Sequence, residues 1–278
     1  MTKVRISIII PCYNQGHFLR ETLESVALCD KTLYELIIVN DGSTDEATNE
    51  FLRSLQKEGF NVIFQENKGL AGARNAGINQ ANGEFILPLD SDNKIRPIFL
   101  TEGIKLMDSN PDIAVVYGNA QYFGEKTGVW EPGNFNLQKL MISNYIDACA
   151  LIRKSVLDKV GFYDTNMQYM GWEDWEMWLR LSSKGYKLQY LPLILFDYRV
   201  VVNSMSKQVY NTYKKPNTLE NYVNLKYPYF MGHDHIYEFV TNRFKAAPIK
   251  FIIKLFLKTY FPAYYKKLLA QNKIRNGI

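Results

Sequence analysis

Across its first ninety residues the chain alternates short apolar runs with helical patterns, and this alternation leaves few folds open. Val4 to Ile10 leads to a helical pattern from about Phe18, then an apolar run at Glu35 to Val39, then a helix starting at Thr44 or Asp45. A third run at Asn61 to Phe64 precedes a helix at Gly69 to Gln80, and a fourth run spans Glu84 to Leu89. Strands separated by helices predict βαβ units and a parallel sheet, because each crossover returns the chain to the same edge. Every run ends in polar residues: Asn14, then Asp41, then Glu66 and Asn67, then Asp90 and Asp92. Ligands of open α/β sheets bind beyond the carboxyl ends of the strands, so these four clusters are expected to meet at one crevice.

Beyond Asp92 the pattern is less regular. It predicts a helix at Ile98 to Ser109, a strand at Ile113 to Tyr117, a loop at Thr127 to Phe135 and a strand at Ala148 to Ile152. Helices at Ser155 to Val160 and Trp172 to Ser183 and a strand at Lys187 to Leu191 follow. From about Lys207 the composition shifts to Tyr, Asn and Lys, which places a boundary near 206/207. With 278 residues the chain can bury one core plus an appendage. The expected fold is therefore α/β, a mixed but mainly parallel sheet flanked by helices over 1–206, with a helical extension over 207–278.

The net charge of +5 is concentrated in the last thirty or so residues, which points to an anionic surface rather than to nucleic acid. There, Ile249, Ile252, Ile253, Phe256, Leu257 and Tyr260 follow helical spacing while Lys250, Lys254 and Lys258 fall on the other side, and Pro262 ends or kinks the helix before Tyr264, Tyr265, Lys266 and Lys267. Such a helix over 247–270 either lies on an anionic membrane or packs on the main domain. Cys12, Cys29 and Cys149 are odd in number and lack metal-ligand spacing, so a reducing, cytoplasmic location is expected. No stretch reaches the ~20 apolar residues of a membrane span. His233-Asp234-His235 resembles a metal motif but lacks further ligands at suitable spacing, and a surface or packing role is expected.

Leu89-Asp90-Ser91-Asp92-Asn93 directly follows an apolar strand. Two carboxylates two residues apart at a strand end can hold a hard divalent cation, Mn2+ or Mg2+, together with diphosphate oxygens. Alone, the triplet reads first as a turn; its context reverses that. Ile8-Ile9-Ile10-Pro11-Cys12-Tyr13-Asn14, Asn40-Asp41-Gly42-Ser43-Thr44-Asp45 and Asn67-Lys68-Gly69-Leu70-Ala71-Gly72-Ala73-Arg74-Asn75 precede it in order, and Gly171-Trp172-Glu173-Asp174 comes later. Together these resemble glycosyltransferase family 2, of GT-A fold, over about residues 4–205.

The resemblance implies an inverting transfer of a sugar from a nucleotide diphosphate donor, UDP first with TDP or GDP open, onto a saccharide or lipid-linked acceptor. It divides the domain into a nucleotide-binding half, 1–93, and an acceptor half, 94–206, whose loops Tyr122 to Phe135 and Tyr163 to Met170 would carry acceptor specificity. It places Pro11, Tyr13 and Asn14 at the base and ribose, with Asp41 hydrogen-bonding one of them. Asn67, Gly69 and Ser91 line the donor, and Arg74 reaches the diphosphate or base. Asp92 takes the firmer metal contact, with Asp90 near the ribose or the metal's water shell. Asp174 is the implied base, with Glu173 orienting the acceptor or second in line. Arg199 and Ser204 would hold the diphosphate, but Val201 stands where relatives carry a histidine ligand.

Simpler readings accompany these. Asp41 to Asp45 also fits a turn with Ser43 or Thr44 capping the next helix, Gly72 and Gly77 fit close helix–sheet packing, and Glu173 with Asp174 fit acidic capping. Burial beside Trp172 and Trp175 would raise the pKa of Asp174 and the helix start would lower it, a contest sequence leaves open. The chain lacks the Gly-x-Gly-x-x-Gly turn of a nicotinamide enzyme and the Gly-rich basic loop of a nucleotidyltransferase. A non-catalytic sugar-nucleotide-binding or scaffold subunit of an envelope-polysaccharide complex stays as the alternative.

Overall fold

The structure is a computed structural model, described for residues 4–167, 171–201, 222–223, 225–227, 241, 244–261 and 263–265. The strands are β1 (Ile6–Cys12), β2 (Tyr34–Asp41), β3 (Asn61–Gln65), β4 (Phe85–Pro88), β5 (Lys94–Ile95), β6 (Ile113–Gly124), β7 (Gly128–Trp130), β8 (Leu151–Arg153) and β9 (Lys187–Val200). The helices between them are α1 (Gly16–Ala27), α2 (Glu46–Lys57), α3 (Gly69–Gln80), α4 (Pro97–Ser109), α5 (Leu137–Ile142), α6 (Lys154–Val160) and α7 (Glu173–Ser183). The strands form one sheet in the order β3-β2-β1-β4-β8-β6-β9-β5, with β7 hydrogen-bonded to β6. The first four are mutually parallel, β8 runs antiparallel to both neighbours, and β6 and β9 are parallel again.

The central strand β1 shows why the sheet forms. All seven of its residues are buried. Ile6, Ile8 and Ile10 point into the core with Leu19 and Val26 of α1 and Leu52 and Leu55 of α2. On the opposite face, α3 comes so close that a Cβ on Gly77 would stand 2.4 Å from Ile9 Cγ2. Covering both faces removes each isoleucine from water, worth about 1.5–3 kcal/mol per side chain, and explains an apolar run without alternation.

The helix starting at Thr44 or Asp45 is α2, but neither Ser43 nor Thr44 caps it: Asp45 is the N-cap, and its Oδ2 accepts from Thr48 N at 2.8 Å. Ser43 and Thr44 instead bond Asn14. The last strand runs past Leu191 to Val200 because register shifts against β6 take up Pro192, which has no N–H to donate. Expected loop residues 127–135 contain β7, and the expected strand at Ala148 begins only at Leu151.

The chain forms two compact units, Met1–Tyr222 and Val223–Ile278. The expected boundary at 206/207, and with it Met170, Ser204, His233-Asp234-His235, Pro262, Lys266 and Lys267, lies outside the described residues. In the second unit, α8 (Pro248–Tyr260) is the expected basic amphipathic helix; none of its side chains is buried. No helix among the described residues is long and apolar enough to cross a membrane.

Candidate active site

The parallel pairing brings the carboxyl ends of β3, β2, β1 and β4 to one edge in that order. Tyr13, just past β1, is 45% exposed there. Asp41, at the end of β2, is buried; its Oδ1 accepts from Gln65 Nε2 at 2.7 Å and from the Lys68 backbone at 2.8 Å, while no described residue donates to Oδ2. That oxygen is free to accept from an imide N–H or a ribose hydroxyl. Asn14 works differently. It adopts φ 55°, tolerable for Asn. Its Oδ1 accepts from the backbones of Thr44 and Asp45, tying the loop after β1 to the loop after β2. Gly42 completes this seam: at φ 68°, a Cβ there would lie 2.6 Å from Asn67 N, which only glycine avoids. Asn67 Oδ1 in turn accepts from Gly69 N at the start of α3.

A cleft of about 380 Å3 opens beside this edge, and Pro11, Arg74, Asp90, Asp92, Glu173 and Asp174 all line it. Ser91 also reaches it but is 1% exposed and hydrogen-bonds Gln15. Asn93 does more than close the turn: its Oδ1 accepts from Arg199 N at 2.9 Å, pinning the end of β9 to the Asp90 to Asp92 turn. Arg199 stacks between Phe18 and Phe123, donates from Nε to Asp92 O and pairs with Glu21 at 3.0 Å, so its guanidinium sits fixed at the cleft rim.

Arg74 is the centre of the site. Only 1% exposed, it donates to Asp90 Oδ1 at 2.7 Å and to Glu173 Oε1 at 2.6 Å. Burial works against its charge, yet the two carboxylates carry its pKa further up, so it stays cationic. The sequence assigns Arg74 to the diphosphate or base; in the structure its two terminal nitrogens hold the strand β4 carboxylate to the start of α7. Glu173 is thereby also spoken for, because Oε2 accepts from Gly171 N.

The three acids that open α7 therefore divide. Glu173 binds Arg74, and Glu176 pairs with Arg180 at 3.1 Å. Asp174 is left for the cleft: Oδ1 accepts from Trp175 N and Oδ2 from Asn144 Nδ2 at 2.8 Å. Trp172, not an acid, is the N-cap. Burial wins over the helix start, for Asp174 is pushed well above the ordinary carboxylate range, by desolvation first and then by the charges of Glu173 and Asp147. A carboxylate so placed is a stronger base than one in water.

Asp147 is a residue the sequence reading missed. It lines the same cleft, and burial followed by the charge of Asp90 raises its pKa to about 7. In a parallel sheet the ligand-binding polar residues follow the apolar runs. β8 is antiparallel to β4, so its beginning faces the cleft, and strand direction is not written in the sequence.

The family resemblance implies a divalent cation. Asp92 makes no ion pair among the described residues, and burial followed by repulsion from Asp90 raises its pKa to about 6. A dication beside it would relieve both penalties, so the residues fit. Among the described residues no three His, Cys, Asp or Glu side chains form a ready cage, and Val201 lines the cleft where the histidine is expected. The protein's own donors would then be Asp92 with Asp90, and diphosphate oxygens would fill other positions.

A mainly parallel sheet that delivers paired aspartates to a cleft, facing an acidic helix start, has the architecture of the GT-A fold. Its particular family follows from comparison. The profile described as Glycosyl transferase family 2 matches residues 7–161, and that of Glycosyl transferase family group 2 matches 85–274. The chain belongs to glycosyltransferase family 2. It is 28% identical over 233 residues to an uncharacterized glycosyltransferase of Rickettsia prowazekii, covering 79% of this chain and 70% of that one. It is 28% identical over 208 residues to the poly-beta-1,6-N-acetyl-D-glucosamine synthase of Staphylococcus aureus, covering 68% of this chain but only 48% of the synthase. Among solved structures, Staphylococcus aureus TarS in complex with UDP-GlcNAc superposes with a TM-score of 0.60 at 22% identity, covering 73% of this chain and 61% of that one. A mannosyltransferase from Pyrobaculum calidifontis, in complex with GDP-Man and Mn2+, gives 0.58 at 18% identity, covering 95% and 82%.

Proposed function

We propose that the protein transfers a sugar from a nucleoside diphosphate donor to an acceptor hydroxyl with inversion, in cell-surface polysaccharide or glycolipid assembly. The observation that carries this reading is that Asp90, Asp92 and Asp174 line one cleft. Tyr13 stacks on the base and Asp41 Oδ2 accepts from base or ribose. Asp174 takes the proton from the acceptor hydroxyl as its oxygen bonds to the anomeric carbon and the bond to the diphosphate oxygen breaks. A divalent cation held by Asp92 and Asp90 would neutralise charge on the leaving diphosphate. Arg199 faces the same group from the rim.

UDP is the proposed nucleotide, supported by the UDP-GlcNAc complex of TarS and by the likeness to a poly-beta-1,6-N-acetyl-D-glucosamine synthase; the GDP-Man complex marks the competing choice. In thermal denaturation, a UDP-sugar with Mn2+ at about 100 times its Kd is expected to stabilise the fold by about 2.7 kcal/mol. That raises the Tm by roughly 5–10 °C. GDP- and TDP-sugars should do less. If no nucleotide sugar moves the Tm with or without metal, the transferase reading fails.

The proposed location is the inner face of an anionic membrane, supported by α8, where Ile249, Ile252 and Phe256 are 75%, 55% and 51% exposed and Lys250, Lys254 and Lys258 supply positive charge. A lysine near such a surface contributes about 1 kcal/mol. Reversing all three with Lys250→Glu, Lys254→Glu and Lys258→Glu is expected to lower flotation with phosphatidylglycerol vesicles at least roughly 100-fold in partition coefficient. Equal flotation of wild type and triple variant, or none by the wild type, removes the membrane.

A further inference from the structure

Asp147 is placed by the topology of the sheet, not by a motif. β8 pairs antiparallel with β4, Ile86 opposite Ile152, so the chain entering β8 runs past the carboxyl end of β4. Asp147, four residues before β8, accordingly lines the cleft that Asp90 and Asp92 line. The same connection is fastened to the other wall, because Asn144 Nδ2 donates to Asp174 Oδ2. Asp147 Oδ1 is fixed by Cys149 N at 2.8 Å, and no described residue donates to Oδ2. Trp130 and Tyr198, packed edge to face at 6.1 Å, line the same cleft.

Any direct displacement has to hold the anomeric carbon between the diphosphate and the base. On the transferase reading the ring of the donor sugar then occupies the span from Asp92 to Asp174; Asp147 lines the same cleft, and unlike Asp90 and Glu173, which Arg74 holds, it makes no ion pair among the described residues. A carboxylate oxygen accepting from a sugar hydroxyl, in a cleft whose aromatic rings can pack on C–H groups, discriminates between hydroxyl configurations, since a misplaced hydroxyl leaves that oxygen unpaired once water is excluded. We propose that Asp147 Oδ2 accepts from a ring hydroxyl of the donor sugar and sets which sugar is taken. The proposal rests on the transferase reading above.

Asp147→Asn keeps the Oδ1 bond to Cys149 while turning the free acceptor into a donor; Asp147→Ala removes both. The test is calorimetric binding, in the presence of Mn2+, of UDP alone and of UDP-GlcNAc, UDP-glucose and UDP-galactose to wild type and both variants. The expected result is UDP affinity within about threefold of wild type. The preferred UDP-sugar should weaken at least roughly tenfold, and its advantage over the other two should shrink by a similar factor. UDP and UDP-sugars weakening together would mean a role in metal binding or loop structure and would overturn the proposal, as would unchanged discrimination in Asp147→Asn. Wild-type protein that binds no nucleotide sugar would instead sink the transferase reading, and this one with it.

Discussion

Asp174→Asn is expected to lower sugar transfer about 1,000-fold, within the 10²–10⁴ that a positioned general base contributes, while nucleotide-sugar affinity changes by less than about threefold. The substitution is nearly isosteric, and the amide of Asn144 can turn to meet the new side chain, so the fold should tolerate it. What is lost is the ability to take a proton. The pH profile gives a second reading of the same group. Because burial raises the pKa of Asp174, its basic form is lost as pH falls through a value well above the ordinary carboxylate range. The acidic limb of kcat/KM in the wild type should therefore lie at correspondingly high pH. Transfer that persists within tenfold in Asp174→Asn would place the base elsewhere. Wild-type protein that binds donor yet transfers nothing, under conditions where the metal and acceptors are supplied, would favour the binding or scaffold subunit, a reading that Val201 in the cleft keeps worth testing.

The second large effect is expected on stability. Arg74→Met removes the cation between Asp90 and the nearly fully buried Glu173, and breaking a buried ion pair from one side costs about 3–5 kcal/mol. For a domain of this size the Tm should fall by roughly 10 °C. Arg74→Lys should recover only part, since an ammonium lacks the planar fork that reaches two carboxylates at once. Glu173→Gln in the Arg74→Met background should cost less than the sum of the single changes by at least about 1 kcal/mol, because the stranded charge is then gone. Thermal and urea denaturation of wild type, the three single variants and the double variant measure all of this. Were Arg74 a diphosphate ligand, as its place in the sequence implies, Arg74→Met would keep its stability and lose donor affinity; that pattern would falsify the clamp.

The difference between those two outcomes marks how far sequence reading reaches. The helix Gly69 to Gln80 was legible to the residue, since glycine permits its start at φ 73° and small side chains run along its length. That Arg74 faces the cleft was legible too, but not its partners. One of them, Glu173, is ninety-nine residues away, and only the packing of α7 brings it there. The sequence reading names Ser43 or Thr44 as the cap where the structure uses Asp45; all three are good caps, and Asn14 decides between them by occupying the other two.

By itself the sequence determined the parallel half of the sheet and the edge at which Asp41, Asp90 and Asp92 gather. Those features follow from local periodicity and from the one direction in which βαβ crossovers can run. The tertiary structure alone decided what pairs with what at the cleft. It joined Arg74 to two carboxylates, left Asp174 facing the space between them, raised its pKa by burial, and brought in Asp147 by running β8 backwards against β4. Burial and charge proximity are properties of distances between segments remote in the chain, and no local pattern of residues encodes them.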